Sequence, residues 1–147
     1  MGQRANDVRV VRVGASGLEL ACRAVEDVNG HTPVDATALA AFLEDDASYL
    51  LVAEVDGAAV GSLIGHRLPT PHARRPHLLL YEIDVARAWR RQGIGRRLVE
   101  AFLEEARAVD ARGVWVVTNR SNPAAMELYR ACGLTDTAAD DVVLKLA

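Results

Sequence analysis

Apolar and polar residues alternate along several short stretches of the chain, and this alternation predicts half-buried β-strands. The predicted strands cover residues 8–13, 49–55, 59–67, 78–85, 114–118 and 142–146. Asp56 and Gly57 separate the second strand from the third and predict a tight hairpin turn. Residues 69–77 hold three prolines in nine positions, so an irregular loop is predicted there.

Other stretches carry apolar residues at every third or fourth position, which is the period of an amphipathic helix. The predicted helices cover residues 16–28, 36–43, 93–109 and 123–131. Ser16 and Asp35 are expected to cap the first two helices, Pro123 suits the first turn of the last helix, and Gly133 suits its end. The order β-α-α-β-β-β-α-β-α-β contains two strand-helix-strand passages, so the expected fold class is α/β with a mixed, partly parallel sheet.

The composition favours one soluble globular domain over residues 1–147, with 50% hydrophobic and 25% charged residues. No apolar run approaches the roughly 20 residues of a membrane helix, and no signal peptide is recognised, so a cytoplasmic protein without membrane contact is expected. The net charge of −3 argues against nucleic-acid binding. Cys22 and Cys132 are interpreted as buried small side chains, and the histidines lack metal-binding spacing, so no metal is expected.

Positive charge is concentrated in one place, the segment RRQGIGRRL at residues 90–98. It follows a strongly apolar predicted strand and opens a predicted helix, whose first backbone N–H groups are unpaired and lie at the positive end of the helix dipole. Gly93 and Gly95 would let a ligand approach these N–H groups. The arrangement predicts an anion cradle for a phosphate or pyrophosphate. The alternative is a helix start that simply carries glycines and solvated arginines.

Known nucleotide-binding motifs do not fit this segment. The chain contains no GxxxxGK[ST] phosphate loop, and Leu98 stands where the dinucleotide fingerprint GxGxxG requires its third glycine.

Two motifs together resemble a known family. Arg90 to Gly95 fits R-x-x-G-x-G, and the segment NPAAMELYRACGL, from Asn122 to Leu134, follows at the expected distance. This pair resembles the acetyl-CoA binding core of the GNAT superfamily of N-acetyltransferases, with Leu134 in place of the usual Phe. The resemblance implies the GNAT fold, in which helices flank a mixed central sheet with a splayed pair of parallel strands.

The same resemblance implies acetyl-CoA as cosubstrate. Its diphosphate would lie on the backbone of the glycine turn, and its pantetheine arm would lie along the preceding strand and against Asn122, which can also cap its helix. The residues implied to contact it are Ile83, Val85, Arg90, Arg91, Gln92, Gly93, Ile94, Gly95, Arg96, Asn122 and Tyr129. Tyr129 occupies the position from which the superfamily's tyrosine assists departure of the thiolate, although it can also be read as a core aromatic residue.

Carboxylates in the strand LLLYEIDV are the candidates for a general base, because a charge in an apolar strand is costly without a purpose. Alternation places Glu82 and Asp84 on one face of the strand and Tyr81, Ile83 and Val85 on the other. Glu82 is the first candidate to accept the proton of an amine, and Asp84 is the second. The alternative is that a carboxylate faces solvent or pairs with an arginine such as Arg67.

A finer resemblance concerns the acceptor. The hairpin and the strand before the glycine turn are similar to those of aminoglycoside 3-N-acetyltransferases of this fold, although Glu82 replaces an Asp and Asp84 an Ala. The resemblance implies a cationic small-molecule amine as substrate, and thus antibiotic resistance. Arg74 and Arg75 in the predicted loop argue against a polycation. An amino acid, a polyamine or a protein N-terminus stays open as the acceptor. A non-catalytic acyl-CoA sensor stays open as the function, and a homodimer stays open as the assembly.

Overall fold

A computed structural model describes residues 5–146, with side chains from Asn6 onward. Five strands form one sheet in the order β1-β2-β3-β4-β5. The first four strands pair antiparallel, and β4 and β5 pair in parallel. The bounds are Arg9–Arg12 for β1, Ser48–Val55 for β2, Ala58–Thr70 for β3, Ala73–Val85 for β4 and Gly113–Val116 for β5. The expected mixed α/β fold with a partly parallel sheet is therefore confirmed.

Four α-helices cover the sheet. They are α1 (Leu18–Arg23), α2 (Ala36–Glu44), α3 (Ile94–Ala108) and α4 (Pro123–Ala131), and α1 continues into a π-helical turn, Ala24–Val28. Side chains cap two of the helices as predicted: Asp35 accepts a hydrogen bond from the Ala38 N–H, and Asn122 accepts one from the Ala125 N–H. No helix among residues 5–146 is both long enough and apolar enough to cross a membrane.

The sheet lies between two apolar cores. Tyr49, Leu51 and Phe102 belong to the core beneath α3 and α4, whereas Leu50 and Val52 belong to the core beneath α1 and α2. Successive residues of β2 therefore face opposite layers, and seven of its eight residues are buried. This central strand is a rigid support for the hairpin of β3 and β4 beside it.

The prediction of an irregular loop at residues 69–77 is wrong. Strands β3 and β4 continue through it as a long hairpin, and Thr70 pairs with Ala73. Pro69 falls at a register irregularity of that ladder, where the missing N–H does no harm. The prolines are therefore compatible with pairing of β3 and β4. Their spacing in the sequence does not reveal this.

Two other local predictions are also wrong. Ser16 lies inside a 3₁₀ turn, Ala15–Gly17, and does not cap the first helix, whose N-cap is Gly17 and forms no side-chain bond. Residues 142–146 form no strand, and Val142, Val143, Leu144 and Leu146 are exposed. Apolar patterning alone does not make a strand, because a strand also needs a hydrogen-bonding partner.

A β-bulge in β4 changes the predicted facing of one residue. Ile64 pairs with Glu82 but Gly65 pairs with Leu80, so Tyr81 is the extra residue. The Tyr81 ring contacts His66, which in turn contacts Phe42 of α2. Tyr81 therefore lies on the α2 side of the sheet and does not share a face with Ile83 and Val85, which pack against the α3 core.

Gly65 allows β3 to pass closely under α3. A Cβ at Gly65 would lie 2.4 Å from two ring atoms of Phe102, and overpacking of this kind costs about 1–3 kcal/mol. We predict that Gly65→Ala lowers the free energy of unfolding by about 2 kcal/mol in urea titrations. The matched control is Gly14→Ala, because nothing lies within 4 Å of a Cβ there. Equal losses in both variants would contradict the close-approach explanation.

Candidate active site

The parallel pair of strands opens into a wedge. Pairing of β4 with β5 runs from His77–Gly113 to Leu80–Val116. Beyond this point β5 ends, whereas β4 continues to Val85 and stays paired with β3 as far as Gly61. The last five residues of β4 thus present one edge without a strand partner.

The backbone groups of Ile83 and Val85 face this wedge. The Ala86 N–H donates to the Val60 carbonyl at 2.8 Å, so residue 86 points toward β3. Backbone groups of successive residues in a strand point to opposite sides, so Asp84 also points toward β3 and the two residues flanking it point away. The Arg90 guanidinium confirms this direction, because its Nε donates to the Val85 carbonyl at 3.0 Å.

The glycine turn leaves the start of α3 open. Gly93 is the N-cap, with a left-handed backbone (φ +81°), and it forms no side-chain cap bond. Arg91, two residues earlier, is also left-handed at φ +60°. Helices α2 and α4 have their first amides capped by Asp35 and Asn122, so the start of α3 differs from both. Its free N–H groups and dipole favour an anion.

Gly95 allows close packing at the first turn of α3. A Cβ at Gly95 would lie 3.3 Å from a methyl carbon of Leu128 and 3.9 Å from one of Val85. The small residue therefore lets the first turn of α3 lie close to both α4 and the end of β4. The anion cradle and the wedge are neighbours for this reason.

The polar side chains of the turn are partly engaged within the protein. The Arg90 guanidinium donates to the Val85 carbonyl, and the Gln92 amide donates to the Ala88 carbonyl at 3.3 Å. Arg96 forms an ion pair with Glu100 at 2.8 Å. This pair is exposed, and exposed ion pairs contribute little stability, so the Arg96 guanidinium can exchange its partner for a bound anion.

The two predicted carboxylates, Glu82 and Asp84, lie on the face of β4 opposite to that of Ile83 and Val85. The Asn29 amide donates to Oδ2 of Asp84 at 2.8 Å, which places Asp84 beside the π-helical turn. Burial raises the pKa of Glu82, a hydrogen bond and the charge of Asp84 raise it further, and His31 opposes the shift. The shared face predicted for the two carboxylates agrees with this proximity. No ion pair among residues 5–146 joins either carboxylate to Arg67.

Tyr129 lies on α4 within the core beneath α3 and is only 7% exposed. Burial raises the pKa of its hydroxyl, and the negative charge of Asp84 adds to the shift. The phenol is therefore a protonated donor at neutral pH. It is both a core residue and a neighbour of the carboxylates, so the two interpretations of Tyr129 are compatible.

Asn29 and Ser62 lie beside the predicted carboxylates, and the sequence analysis did not identify them. Ser62 of β3 is 1% exposed, and Asn29 ends the π-helical turn. A buried serine in an apolar strand was the available signal. Two surface cavities of about 530 and 420 Å³ lie elsewhere, against α4 and at the far end of α3, so the site is an open wedge. No cluster of metal-ligating side chains occurs within the described residues.

Residues 18–134 match the model of the acetyltransferase (GNAT) family, so the chain belongs to that family, as its two motifs indicated. N-acetyltransferase 8 of Rattus norvegicus is 32% identical over 96 residues, which are 65% of this chain and 43% of that protein. The chain thus spans less than half the length of this curated relative.

Two solved structures share the fold. An aminoglycoside acetyltransferase from an uncultured soil metagenomic sample, in complex with sisomicin, superposes with a TM-score of 0.81 at 21% identity, covering 97% of this chain and 98% of that one. A ribosomal-protein-alanine N-acetyltransferase from Brucella melitensis biovar Abortus 2308 superposes with a TM-score of 0.73 at 19% identity, covering 95% and 99%.

The carboxylate pair makes a prediction that needs no substrate. Asp84→Asn removes a negative charge that disfavours ionisation of Glu82, so the pKa of Glu82 should fall. Titration of the Glu82 side-chain carboxyl by carbon-13 NMR measures this change. The control is Asp136→Asn, an exposed partner of Arg120 and Arg130, which should leave Glu82 unchanged. An unchanged Glu82 titration in Asp84→Asn would contradict the coupling.

Proposed function

We propose that the protein is an acetyl-CoA-dependent N-acetyltransferase that transfers the acetyl group directly to a primary amine in a ternary complex, within one domain. The observation that carries the proposal is the uncapped start of α3 at Gly93, lying beside the unpaired edge of β4. The uncapped helix start fits a diphosphate, and the unpaired strand edge fits a chain of amides. Their adjacency fits coenzyme A, which contains both.

The turn from Arg90 to Arg96 would hold the diphosphate through backbone N–H groups, with guanidinium groups in support. The pantetheine amides would add to the edge of β4 in the manner of an extra strand, at Ile83 and Val85. Since Arg90 already occupies the Val85 carbonyl, the contact at Val85 uses its N–H, or the guanidinium turns away on binding. Asn122 can contact the pantetheine through the atoms that its cap bond leaves unused.

Bound acetyl-CoA supplies the thioester whose acetyl carbon the amine attacks. Glu82 accepts the proton that the amine must lose, and its raised pKa brings it closer to neutral pH, where a general base works best. Asp84 holds the positive charge of the incoming ammonium. The Tyr129 hydroxyl, which stays protonated, donates to the departing thiolate. A backbone N–H at the open edge of β4 polarises the thioester carbonyl.

We propose an aminoglycoside as acceptor, modified at its 3-amino group. Two neighbouring carboxylates suit a substrate with several ammonium groups, and one structure of the same fold contains sisomicin. The objection from Arg75 of the β3–β4 hairpin is weak, because its guanidinium pairs with Asp110. Arg75 lies about 23 Å from Glu82 along the strand at 3.3 Å per residue.

A protein N-terminus is the second candidate acceptor, which the ribosomal-protein-alanine N-acetyltransferase of the same fold favours. Amino acids and polyamines are further amines that the carboxylate pair could hold. A non-catalytic acyl-CoA sensor is less well supported, because binding alone requires neither the half-buried carboxylate pair nor Tyr129.

A thiol-release assay with acetyl-CoA tests the proposal against aminoglycosides, polyamines, amino acids and short peptides. We expect release with aminoglycosides and none with peptides, and mass spectrometry and NMR of the product should locate the acetyl group on the 3-amino nitrogen. Reaction with peptides alone would replace the acceptor by a protein N-terminus. Binding of acetyl-CoA without release for any amine would favour the sensor.

Glu82→Gln tests the base. Loss of a general base costs about 10²- to 10⁴-fold in rate, so kcat/KM should fall by that factor while calorimetry shows an unchanged Kd for acetyl-CoA. Glu127→Gln is the matched control, since Glu127 is exposed on α4 and should keep both values. Weaker acetyl-CoA binding with undiminished turnover would exclude Glu82 as the base.

A further inference from the structure

A polar network that includes Asp84 of the predicted site joins three elements. The Asn29 amide nitrogen lies 2.8 Å from Oδ2 of Asp84 and 3.2 Å from Oγ of Ser62. The Ser62 hydroxyl also lies 3.4 Å from Oδ1 of Asn29. Ser62 and Asp84 are direct cross-strand partners, so a single amide spans both side chains.

The backbone fixes the direction of the Asn29 side chain. The Asn29 N–H donates to the Ala24 carbonyl at 3.1 Å and the His31 N–H to the Val25 carbonyl at 3.1 Å, which closes the end of the π-helical turn. Gly30 between them is left-handed at φ +73° and reverses the chain. Asn29 is therefore held by the helix end and not by a free loop.

The orientation of the amide follows from hydrogen-bond chemistry. A carboxylate accepts hydrogen bonds and cannot donate them, so only the NH₂ side of Asn29 can face Asp84. A donated hydrogen bond favours the ionised form of an acceptor carboxylate. The hydrogen bond from Asn29 thus fixes the orientation of the Asp84 carboxylate and engages one of its oxygens.

We propose that Asn29 is a positioning residue that anchors Asp84, so that Glu82 alone exchanges the proton with the acceptor amine. This inference rests on the proposed function. Without the anchor, the Asp84 carboxylate would lose the contact that fixes its orientation beside Glu82. Ser62 supports the anchor by holding the amide from β3.

Titratable groups from two other elements interact with this pair. His31 acts on Glu82 from the segment after the π-helical turn, and Tyr129 of α4 interacts with Asp84. From β3, the side chain facing Asp84 is the uncharged Ser62. A change of charge at Asn29 should therefore appear directly in the ionisation of Glu82.

A double-mutant cycle tests the anchor. We expect Asn29→Ala to lower kcat/KM by about 10-fold in the native background and to have no further effect in the Asp84→Asn background, because coupled residues are not additive. Acetyl-CoA affinity should not change. Equal losses in both backgrounds would overturn the inference, since a purely structural role is additive. Should Asn29→Ala fail to fold, Ser62→Ala enters the same cycle.

Asn29→Asp gives a readout that does not depend on turnover. A third carboxylate beside the pair should raise the pKa of Glu82, observed as an upward shift of its carbon-13 titration and of the acid limb of the pH–rate profile. Thr37→Asp, exposed at the start of α2, should shift neither. An unmoved Glu82 titration would overturn the anchor. The native chain failing to acetylate any amine would instead overturn the proposed function, whereas a shifted Glu82 titration in Asn29→Asp would still support the contact of Asn29 with the carboxylate pair.

Discussion

The separation of β4 from β5 beyond Leu80 and Val116 is the feature on which the whole site depends. Unpaired backbone groups in a sheet need partners, and here β3 holds the other edge of β4 in place so that the strand does not fray. Among the described residues, this edge of β4 therefore has no strand partner beyond Leu80. Arg90 supplies a partner for the Val85 carbonyl, and an amide-bearing ligand can supply others.

The glycine turn complements this edge because each glycine has a separate physical task. Gly93 adopts a left-handed conformation at the helix start, which leaves the first amides of α3 without a capping side chain. Gly95 lets α3 approach Leu128 and Val85. A larger residue at Gly95 would press on Leu128, which a Cβ would approach to 3.3 Å. Motif and geometry thus agree for reasons of packing as well as ligand approach.

The sequence predicted the features that depend on nearby residues. The helix start at Gly93 and the shared face of Glu82 and Asp84 follow from periodicity and turn chemistry over a few positions. The bulge at Tyr81 depends on register with β3, and the contact of Asn29 with Asp84 joins residues 55 positions apart. Residues 142–146 show the same limit, because their pattern suits a strand for which the structure provides no partner. Contacts between residues far apart in the sequence decide these features. The local pattern of a single sequence does not predict such contacts.

The wedge also connects the two faces of the sheet. Asp84 contacts Asn29 on the α1 side, and yet its charge acts on Tyr129, which lies in the core on the α3 side. Under the proposed function, an acceptor amine beside the carboxylates and a thioester beside Tyr129 would meet across the edge of β4, and the transfer would need no covalent intermediate on the protein. The environment of Cys132 agrees, since burial and Glu100 raise the pKa of its thiol and keep it protonated.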